Sequence, residues 1–409
     1  MKKIEILAPA GDIEKLKTAY YYGADACYFA GKKWGLRAFS NNFEEEELKV
    51  YIDYAHKLGK KAYITVNIQA HNSDFEGLAD YIKYLDEIGA DAIIVSDAGI
   101  MSLAKEVAPN LDIHLSTQAC ASNKYSAKFW ADAGAKRIIL ARELSIDEIK
   151  EIREFLPDEV ELEAFVHGAM CISYSGRCLL SNYMAGRDSN RGACVQACRW
   201  EYYITEKGRK DKGCGEDYEI QEDGRSTYIL NSKDLCMINY LDRLMDAGVT
   251  SFKIEGRMKS PYYVANVVNM YRRAVDLLEN DRENFKPNKM WIEELEKCSH
   301  RRFTTGFCLG EGDSEYLESS LPISTYDFIA QVVESSKDGI AVVEQRNRFK
   351  VGDELEILTP FENFNKTFVV ESMASLEGEE IFDAMLVQQK IKLKCPFELK
   401  SGDILRKKK

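Results

Sequence analysis

Residues 89–97, GADAIIVSD, carry the pattern that decides the fold of this chain. The short apolar run Ala92–Ser96 follows a glycine that suits the end of a helix, where the chain must turn back. The run is brief and lacks the strict alternation of a half-exposed strand. It therefore predicts a strand that is buried on both faces, as in a parallel sheet.

Similar runs recur along the chain with amphipathic segments between them, such as Glu44–Leu58, which places Leu48, Ile52, Ala55 and Leu58 on one helical face. The other runs are Ile4–Ala8, Ala26–Ala30, Ala62–Asn67, Ile113–Thr117, Arg137–Ala141, Leu162–Val166 and Ser251–Glu255. Eight strands that alternate with helices predict an α/β fold, a TIM-like (β/α)8 barrel. A doubly wound open sheet is the competing arrangement.

One long connection breaks this spacing between the seventh and eighth strands, over about residues 167–248. An insertion at the C-terminal mouth of a barrel is where function is expected. We predict a barrel over 1–323, with this insertion and a helical extension over about 261–305, and a small all-β, barrel-like domain over 324–409. The strands predicted there are Ile329–Glu334, Gly339–Glu344, Glu354–Leu358, Thr367–Met373 and Met385–Lys390.

Composition narrows the class of protein. The 409 residues carry a net charge of −12, which argues against a general binder of nucleic acids or anionic membranes. No apolar stretch approaches the roughly 18 residues that cross a bilayer, and the start, MKKIE, is not a signal peptide. We expect a cytoplasmic protein with no membrane partner, in which the cysteines stay reduced.

Polar side chains follow the predicted strands at their C-terminal ends, where barrels build their sites. They are Asn67, Asp97, Gln118, Arg142, His167, Lys253, Glu255 and Arg257. Any one of them can instead cap a helix or bind a loop, but as a set they predict a pocket. Arg142 and Arg257 suit a small carboxylate or a phosphate through bidentate hydrogen bonds.

Six of the eleven cysteines fall between Cys171 and Cys236. Four thiolates from one insertion, Cys171, Cys178, Cys194 and Cys198, can hold an iron–sulfur cluster or a structural zinc ion. Only the last two have a spacing typical of zinc sites, and buried free cysteines are the plain alternative. Cys236 is an alternative fourth ligand.

The insertion also carries basic residues that form a local patch despite the acidic total: Arg177, Arg187, Arg191, Arg199, Lys207, Arg209, Lys210 and Lys212. The aromatic residues Tyr174 and Trp200 lie among them and can stack on bases. A solvated loop face and ordinary packing are the alternatives.

Several long motifs resemble the signature of the U32 peptidase family. They are residues 7–11 (LAPAG), 163–171 (EAFVHGAMC), 176–178 (GRC), 186–188 (GRD), 192–194 (GAC), 197–200 (ACRW), 231–235 (NSKDL) and 253–260 (KIEGRMKS). The resemblance covers nearly the whole chain. It is greatest to the tRNA hydroxylation branch, which converts the wobble uridine to 5-hydroxyuridine using prephenate, in a route that is independent of molecular oxygen.

This resemblance implies a [4Fe–4S] cluster on Cys171, Cys178, Cys194 and Cys198, prephenate as co-substrate and the tRNA anticodon loop as partner. Cys236 departs from the pattern of the branch and leaves the fourth ligand open. In this interpretation the catalytic residues are His167, Arg142, Glu255 and Arg257. The substrate-binding residues are Asn67, Gln118, Arg177 and Lys253.

Two alternatives remain at the level of sequence. The family name implies a collagenase-like protease, yet no H-E-x-x-H or G-x-S-x-G motif occurs. His167 and Cys171 can be drawn as a dyad, but Cys171 cannot be both a cluster ligand and a free nucleophile. The second alternative is a non-catalytic iron–sulfur subunit of a hydroxylase complex, and a homo- or hetero-oligomer is compatible with either.

Overall fold

The computed structural model describes residues 3–36, 42–171, 173–200, 232–310 and 322–409. Its centre is a closed barrel of eight parallel strands. These are β1 (Glu5–Pro9), β2 (Ala26–Phe29), β3 (Lys61–Val66), β4 (Ala92–Val95), β5 (Asp112–Leu115), β6 (Arg137–Ile139), β7 (Glu161–Ala169) and, after a short strand β8 (Asp234–Cys236), β9 (Val249–Ile254). β9 pairs with both β1 and β7, which closes the barrel and confirms the predicted fold over the open sheet.

Helices surround the barrel, and side-chain caps fix where several of them begin. They are α1 (Ile13–Tyr21), α2 (Glu45–Lys57), α3 (Leu78–Glu87), α4 (Ala98–Val107), α5 (Lys124–Asp132), α6 (Ile146–Phe155), α7 (Leu180–Ala185), α8 (Leu241–Asp246), α9 (Pro261–Asn280) and α10 (Lys289–Leu295). Asp97 caps α4 by accepting hydrogen bonds from the N–H groups of Gly99 and Ile100. Among the described residues, none of the helices has the length and apolar character needed to cross a bilayer.

Two short strands extend the sheet beyond the barrel and were not predicted. β8 pairs antiparallel with the end of β7, and β10 (Phe303–Thr304) pairs parallel with β8. Strands of three and two residues are too short to leave a periodic pattern in the sequence. They support the end of β7, from which the cysteine-bearing insertion departs.

A charged network fills the lower, N-terminal end of the barrel. Arg137 donates hydrogen bonds to Glu5 (2.5 Å), Glu161 (2.6 Å) and Glu163 (3.0 Å). Burial raises the pKa of Glu5, but the Arg137 charge and the hydrogen bonds from Arg137 and Tyr63 together outweigh this effect, and the net pKa is lowered. The Arg137 guanidinium is therefore surrounded by carboxylates, as a buried charge requires.

The C-terminal domain is a curled antiparallel sheet, as predicted. Its strands are β11 (Tyr326–Lys337), β12 (Ile340–Gln345), β13 (Phe349–Lys350), β14 (Glu354–Leu358), β15 (Thr367–Val369), β16 (Met373–Ala374), β17 (Glu380–Ile381), β18 (Asp383–Ala384), β19 (Lys390–Lys394) and β20 (Ile404–Lys408). The predicted strand Thr367–Met373 is divided between β15 and β16. The domain boundary at residue 323 stays a prediction.

The predicted strand Met385–Lys390 is wrong. The chain from Met385 to Gln389 is a loop, and β19 begins only at Lys390. Gln388 has a positive φ of 57°, so the backbone turns there, and the Val387 side chain is 88% exposed. The apolar character of this segment predicted a strand, but its side chains face solvent rather than a core.

The C-terminal domain packs against α1 and α9, away from the mouth of the barrel. Arg406 is fully buried and donates hydrogen bonds to Glu356 (2.7 Å) and to Asn266 on α9 (3.0 Å). The hydroxyl of Tyr22 donates to the carbonyl of Leu358 (2.8 Å). This arrangement leaves the barrel mouth to the barrel loops and the insertion.

Candidate functional site

An inner cavity of about 60 Å³ lies at the C-terminal mouth of the barrel. Its lining contains six of the residues predicted to form the site: Asn67, Gln118, Arg142, Lys253, Glu255 and Arg257. They come from the ends of four strands: Asn67 follows β3, Gln118 follows β5, Arg142 follows β6, and Lys253, Glu255 and Arg257 lie at the end of β9. The closed barrel brings these four strand ends together. Three cationic side chains and one carboxylate in one small cavity make it suited to an anionic ligand.

Arg142 is the cationic residue whose hydrogen-bonding capacity is least used. It donates to the carbonyl of Ala169 (2.6 Å) and lies over the Phe165 ring, 3.9 Å from its centre. Its nearest carboxylate oxygen, on Glu255, is 3.8 Å away, beyond hydrogen-bond distance. Its Nε is buried without a hydrogen-bond partner among the described residues. A buried guanidinium in this state is ready to bind a ligand carboxylate.

Lys253 stands between the inner cavity and the charged network below it. Its Nζ donates to Glu163 (2.8 Å) and lies 4.4 Å from the centre of the Tyr28 ring. Burial lowers the pKa of Lys253, and the charge of Glu163 opposes this effect only in part. Lys253 thus contributes a buried amino group beside the cavity, held in position by a carboxylate that sequence analysis did not single out.

Arg257 and Glu255 differ in how they meet the cavity. The Arg257 guanidinium is buried and donates to the carbonyl of Leu36 (3.0 Å) and to the Asn42 side chain (2.8 Å). It therefore holds the loop after β2 in place as well as lining the cavity. Glu255 accepts a hydrogen bond from the hydroxyl of Tyr28 (3.4 Å). The catalytic roles of both residues stay predictions.

His167 lies apart from the other predicted residues. Its ring is buried among Tyr263, Tyr271 and Phe303, at centre distances of 5.5–5.9 Å. Burial lowers the pKa of His167 to about 3, so its ring is neutral at ordinary pH. It is not among the residues that line the inner cavity. Its position is that of a core histidine, and the predicted catalytic role gains no support from it.

An outer cavity of about 240 Å³ adjoins the inner one and shares Asn67 and Gln118 with it. The remaining lining residues are Gln69, Ser96, Asp97, Ala98, Ala119, Trp130, Gly176, Arg177 and Asn190. The last three belong to the insertion. Arg177, predicted to bind substrate, is therefore located at this cavity rather than at the inner one.

The insertion is fastened to the barrel rim at this point. Arg191 makes two hydrogen bonds to the carboxylate of Asp74, at 2.6 and 2.9 Å. The N–H of Gln69 donates to the carbonyl of Asn190 (3.0 Å). Gly176 has φ +74°, and a Cβ there would lie 2.0 Å from the carbonyl oxygen of Gln118. Only glycine permits this close approach of the insertion to the barrel.

The four candidate cysteines lie in the first half of this insertion, between residues 171 and 198. Cys171 and Cys194 are exposed, and Cys178 and Cys198 are partly buried. Burial raises the pKa of Cys198, the Arg199 charge opposes this, and the charges of the other three thiols raise it further. The four thiols are therefore electrostatic neighbours.

The four thiols are the candidate donor set of the insertion, and the group that they would hold stays a prediction. Within the described ranges, no three His, Cys, Asp or Glu side chains lie close enough together to hold one metal ion. Burial raises the pKa of Cys178, but hydrogen bonds from Leu180, Ser173, Ser189 and Ser181 outweigh it and favour the thiolate.

Cys236 does not belong to this group. It is buried on β8, and the hydroxyl of Tyr271 lies 4.0 Å from its sulfur. Burial raises its pKa to about 12, which disfavours a thiolate. The charge of Cys198 interacts with those of the other three thiols, and the identity of the fourth ligand stays a prediction.

The insertion exposes aromatic and basic side chains together. Tyr174 is 61% exposed, Trp200 is 41% exposed, and Tyr183, which sequence analysis missed, is 89% exposed. Arg187 lies on the same segment and is also exposed. Lys207, Arg209, Lys210 and Lys212 lie outside the described residues.

Around the two cavities, the residues that sequence analysis missed include Tyr28, Glu163, Gln69, Trp130 and Asn190. Tyr28 and Glu163 point into the barrel from the middle of strands. A strand that is buried on both faces does not alternate between polar and apolar residues, so its sequence does not indicate which side chains point inward. Trp130 lies on α5 and Gln69 follows β3, and their proximity depends on tertiary structure alone.

Comparison with known proteins agrees with this architecture. The model of "Peptidase family U32" matches residues 11–318, and that of "Peptidase family U32 C-terminal domain" matches residues 324–406. The chain is 43% identical to "tRNA hydroxylation protein P1" of Bacillus subtilis, over 100% of this chain and 96% of that protein. It is 40% identical to "tRNA hydroxylation protein P" of Escherichia coli, over 93% of this chain and 91% of that protein.

A relative with another name is also similar. The chain is 33% identical to "Collagenase" of Porphyromonas gingivalis, over 87% of this chain and 86% of that protein. Both kinds of relative cover the barrel together with most of the remaining chain. On these matches and this architecture, the chain belongs to peptidase family U32.

Proposed function

We propose that this protein hydroxylates tRNA, forming 5-hydroxyuridine at the wobble uridine of the anticodon loop. The proposal includes a [4Fe–4S] cluster on the four cysteines of the insertion and prephenate, or a related carboxylate, as oxygen donor. The relatives named tRNA hydroxylation protein support the reaction class. The cluster, the donor and the position of the uridine are parts of this proposal.

The observation that carries the proposal is the unpartnered Nε of Arg142, buried in a cationic cavity next to the cysteine-bearing insertion. Arg142 also binds the carbonyl of Ala169, and Cys171 follows only two residues later in the chain. A carboxylate bound by Arg142 would therefore lie beside the segment that carries the first cysteine. A second cavity large enough for a further reactant adjoins it.

Each pocket residue has a distinct task in this proposal. Arg142 binds and orients the carboxylate of the donor, and Lys253 adds positive charge from the floor of the cavity. Glu255 is the carboxylate that can hold or release a proton at the reacting atoms, since it faces the same cavity. Arg257 keeps the rim closed around them through Leu36 and Asn42.

Cys171, Cys178, Cys194 and Cys198 would hold the cluster, which supplies single electrons when bound. The N–H of Gln196 donates to the sulfur of Cys194 (3.4 Å), a contact that stabilises a thiolate. The exposed Tyr183, Tyr174 and Trp200 provide surfaces on which unpaired loop bases stack. Arg187 and Arg177, both exposed on the insertion, add positive charge to that surface.

Proteolysis is the second candidate, since a similar protein carries the name Collagenase. A cysteine protease needs a base that can accept the thiol proton. His167 is buried among three aromatic rings with a pKa of about 3, which makes it a poor base. The geometry therefore supports hydroxylation better than a His167–Cys171 dyad.

The test is complementation of a bacterial strain that lacks its own tRNA hydroxylation proteins. We expect the wild-type chain to restore 5-hydroxyuridine, or nucleosides made from it, measured by mass spectrometry of digested tRNA. Cys178→Ala should abolish this signal, and anaerobically purified Cys178→Ala should lose iron and sulfide. Cys395→Ala, which removes a buried thiol of the C-terminal domain, is the matched control and should retain both.

Absence of the nucleoside with the soluble wild-type protein would contradict the proposal. Gelatin cleavage by the purified wild-type protein that is lost in Cys171→Ser would favour the protease instead.

A further inference from the structure

We propose that the outer cavity is the pocket for the target base, and that it takes an uncharged pyrimidine with the hydrogen-bonding edge of uracil. This inference rests on the proposed function and deepens it by assigning the base to one cavity and the anionic donor to the other. A base must leave its stack to be modified, and a pocket of its own is the usual way to hold it.

The outer cavity is large enough for a base, and its position suits this ligand. It measures about 240 Å³, against about 60 Å³ for the inner cavity. The two share Asn67 and Gln118, so a base in the outer cavity would meet a carboxylate ligand in the inner one. The Asn67 side chain accepts a hydrogen bond from the N–H of Leu36 (3.1 Å) and donates one to the hydroxyl of Ser116 (3.3 Å). It is thereby fixed at the boundary between the two cavities.

The polar groups of the cavity match the edge of uracil. Within the described residues, the side-chain amides of Gln69 and Gln118 make no hydrogen bond, although both line the cavity. Uracil presents two carbonyl acceptors around one N–H donor. An amide supplies both a donor and an acceptor, so two uncommitted amides can satisfy this edge.

The charges of the two cavities separate their ligands. Asp97 lines the outer cavity, and its hydrogen bonds to the start of α4 use only Oδ1. The outer cavity therefore has one carboxylate, Asp97, and one guanidinium, Arg177, whose charges balance. The inner cavity has three cationic side chains, Arg142, Lys253 and Arg257, against the single carboxylate of Glu255. A neutral base is therefore the reactant that fits the outer cavity.

Trp130 and Arg177 complete the pocket for a nucleotide. The half-buried Trp130 provides an aromatic wall of the kind on which bases stack. Arg177 is exposed and lines the same cavity, where its guanidinium can bind the phosphate of the flipped nucleotide.

The experiment measures binding of two anticodon stem–loop RNAs that differ only in carrying U or C at the target position. Cytosine reverses the donor and acceptor at two positions of the edge. We expect the wild-type protein to prefer the U loop by about tenfold or more, a typical value for one good base contact. Gln69→Ala should reduce this preference to less than about threefold and leave affinity for the C loop unchanged.

Gln69 is exposed, so its replacement should not impair folding, and Trp130→Phe provides a second variant that keeps the aromatic wall. Gln389→Ala in the C-terminal domain is the matched control and should retain the full preference. Equal binding of both loops by the wild type, no RNA binding, or an unchanged preference in Gln69→Ala would overturn the inference.

The outcome is separable from that of the proposed function. A preference for U that Gln69→Ala removes, in a protein that forms no 5-hydroxyuridine, supports the base pocket and contradicts the hydroxylase. Formation of 5-hydroxyuridine with no effect of Gln69→Ala on the preference supports the hydroxylase and contradicts the base pocket. A raised KM for the carboxylate donor in Gln69→Ala, with the preference intact, would assign the outer cavity to the donor.

Discussion

The two ends of the barrel each contain a buried arginine, and the two arginines differ in how many hydrogen-bond partners the protein provides. At the lower end, Arg137 donates hydrogen bonds to three carboxylates, on Glu5, Glu161 and Glu163. At the mouth, Arg142 has one carbonyl partner, a carboxylate at 3.8 Å and an Nε without a partner among the described residues. The lower arginine is satisfied by the protein, and the upper one is left for a ligand.

This difference indicates which end of the barrel contributes to stability and which contributes to function. Unpartnered buried polar groups cost free energy, so they persist where a ligand completes them. The network below fixes Glu163, which in turn positions Lys253 at the floor of the inner cavity. The lower end should therefore matter mainly for folding, and the mouth mainly for activity.

The largest expected effect is on folding. Arg137→Met removes the charge that neutralises three carboxylates and should lower the free energy of unfolding by about 3–5 kcal/mol. Urea denaturation followed by circular dichroism measures this loss. An unfolding midpoint equal to that of the wild type would contradict the structural role assigned to the lower network.

The matched change at the mouth should act on catalysis. Arg142→Met should reduce kcat/KM for tRNA hydroxylation about 100-fold, equivalent to about 2.7 kcal/mol, because the donor carboxylate loses its bidentate partner. The unfolding midpoint should remain close to that of the wild type. Arg142→Lys, which keeps the charge without the planar fork, should recover only part of the activity. If Arg142→Met were destabilised as much as Arg137→Met, the proposed difference between the two ends of the barrel would be contradicted.

His167 predicts a pH dependence of stability. Its pKa is about 3 in the folded protein, against about 6.5 when unfolded. Its contribution is therefore complete above the unfolded pKa and decreases as pH falls toward 3, by up to about 1.4 kcal/mol per pH unit. His167→Phe, which keeps ring packing, should flatten this slope between pH 6.5 and 4.5, roughly the window of the linkage. Unfolding at several pH values tests it, with the exposed His71→Gln as control.

The smallest effect should come from the contact that fastens the insertion. The hydrogen bond from Arg191 holds the pKa of Asp74 at about 2. Its contribution is therefore present above the usual aspartate range and is lost as pH falls through that value. Asp74→Asn should cost about 1 kcal/mol and make the insertion more sensitive to limited proteolysis. Equal cleavage rates in the variant and the wild type would show that this pair does not hold the insertion.

The sequence predicted the barrel because its strands are short, apolar and regularly spaced, and every one of the eight is present. It also predicted six residues of the inner cavity, since strand ends are marked by polar residues after apolar runs. The strand predicted at Met385–Lys390 was wrong because apolar character alone does not reveal a turn, which here lies at Gln388.

The outer cavity could not be predicted from the sequence. Gln69, Trp130 and Asn190 come from a loop, a helix and the insertion, and nothing in their spacing links them. His167 shows the opposite error, because a polar residue after a strand suggested the pocket although its ring packs outside the barrel against α9. The direction of a side chain at a strand end is set by register, which the sequence does not specify.

Reconstitution with purified components tests the central claim most directly. Anaerobically prepared protein would be incubated with tRNA that lacks the modification, with prephenate and an electron donor, and the nucleosides measured by mass spectrometry. The account predicts 5-hydroxyuridine with the wild-type protein, its loss with Arg142→Met, and its retention with Cys395→Ala. No 5-hydroxyuridine from a wild-type preparation that contains iron and sulfide, or equal product from Arg142→Met, would contradict the account.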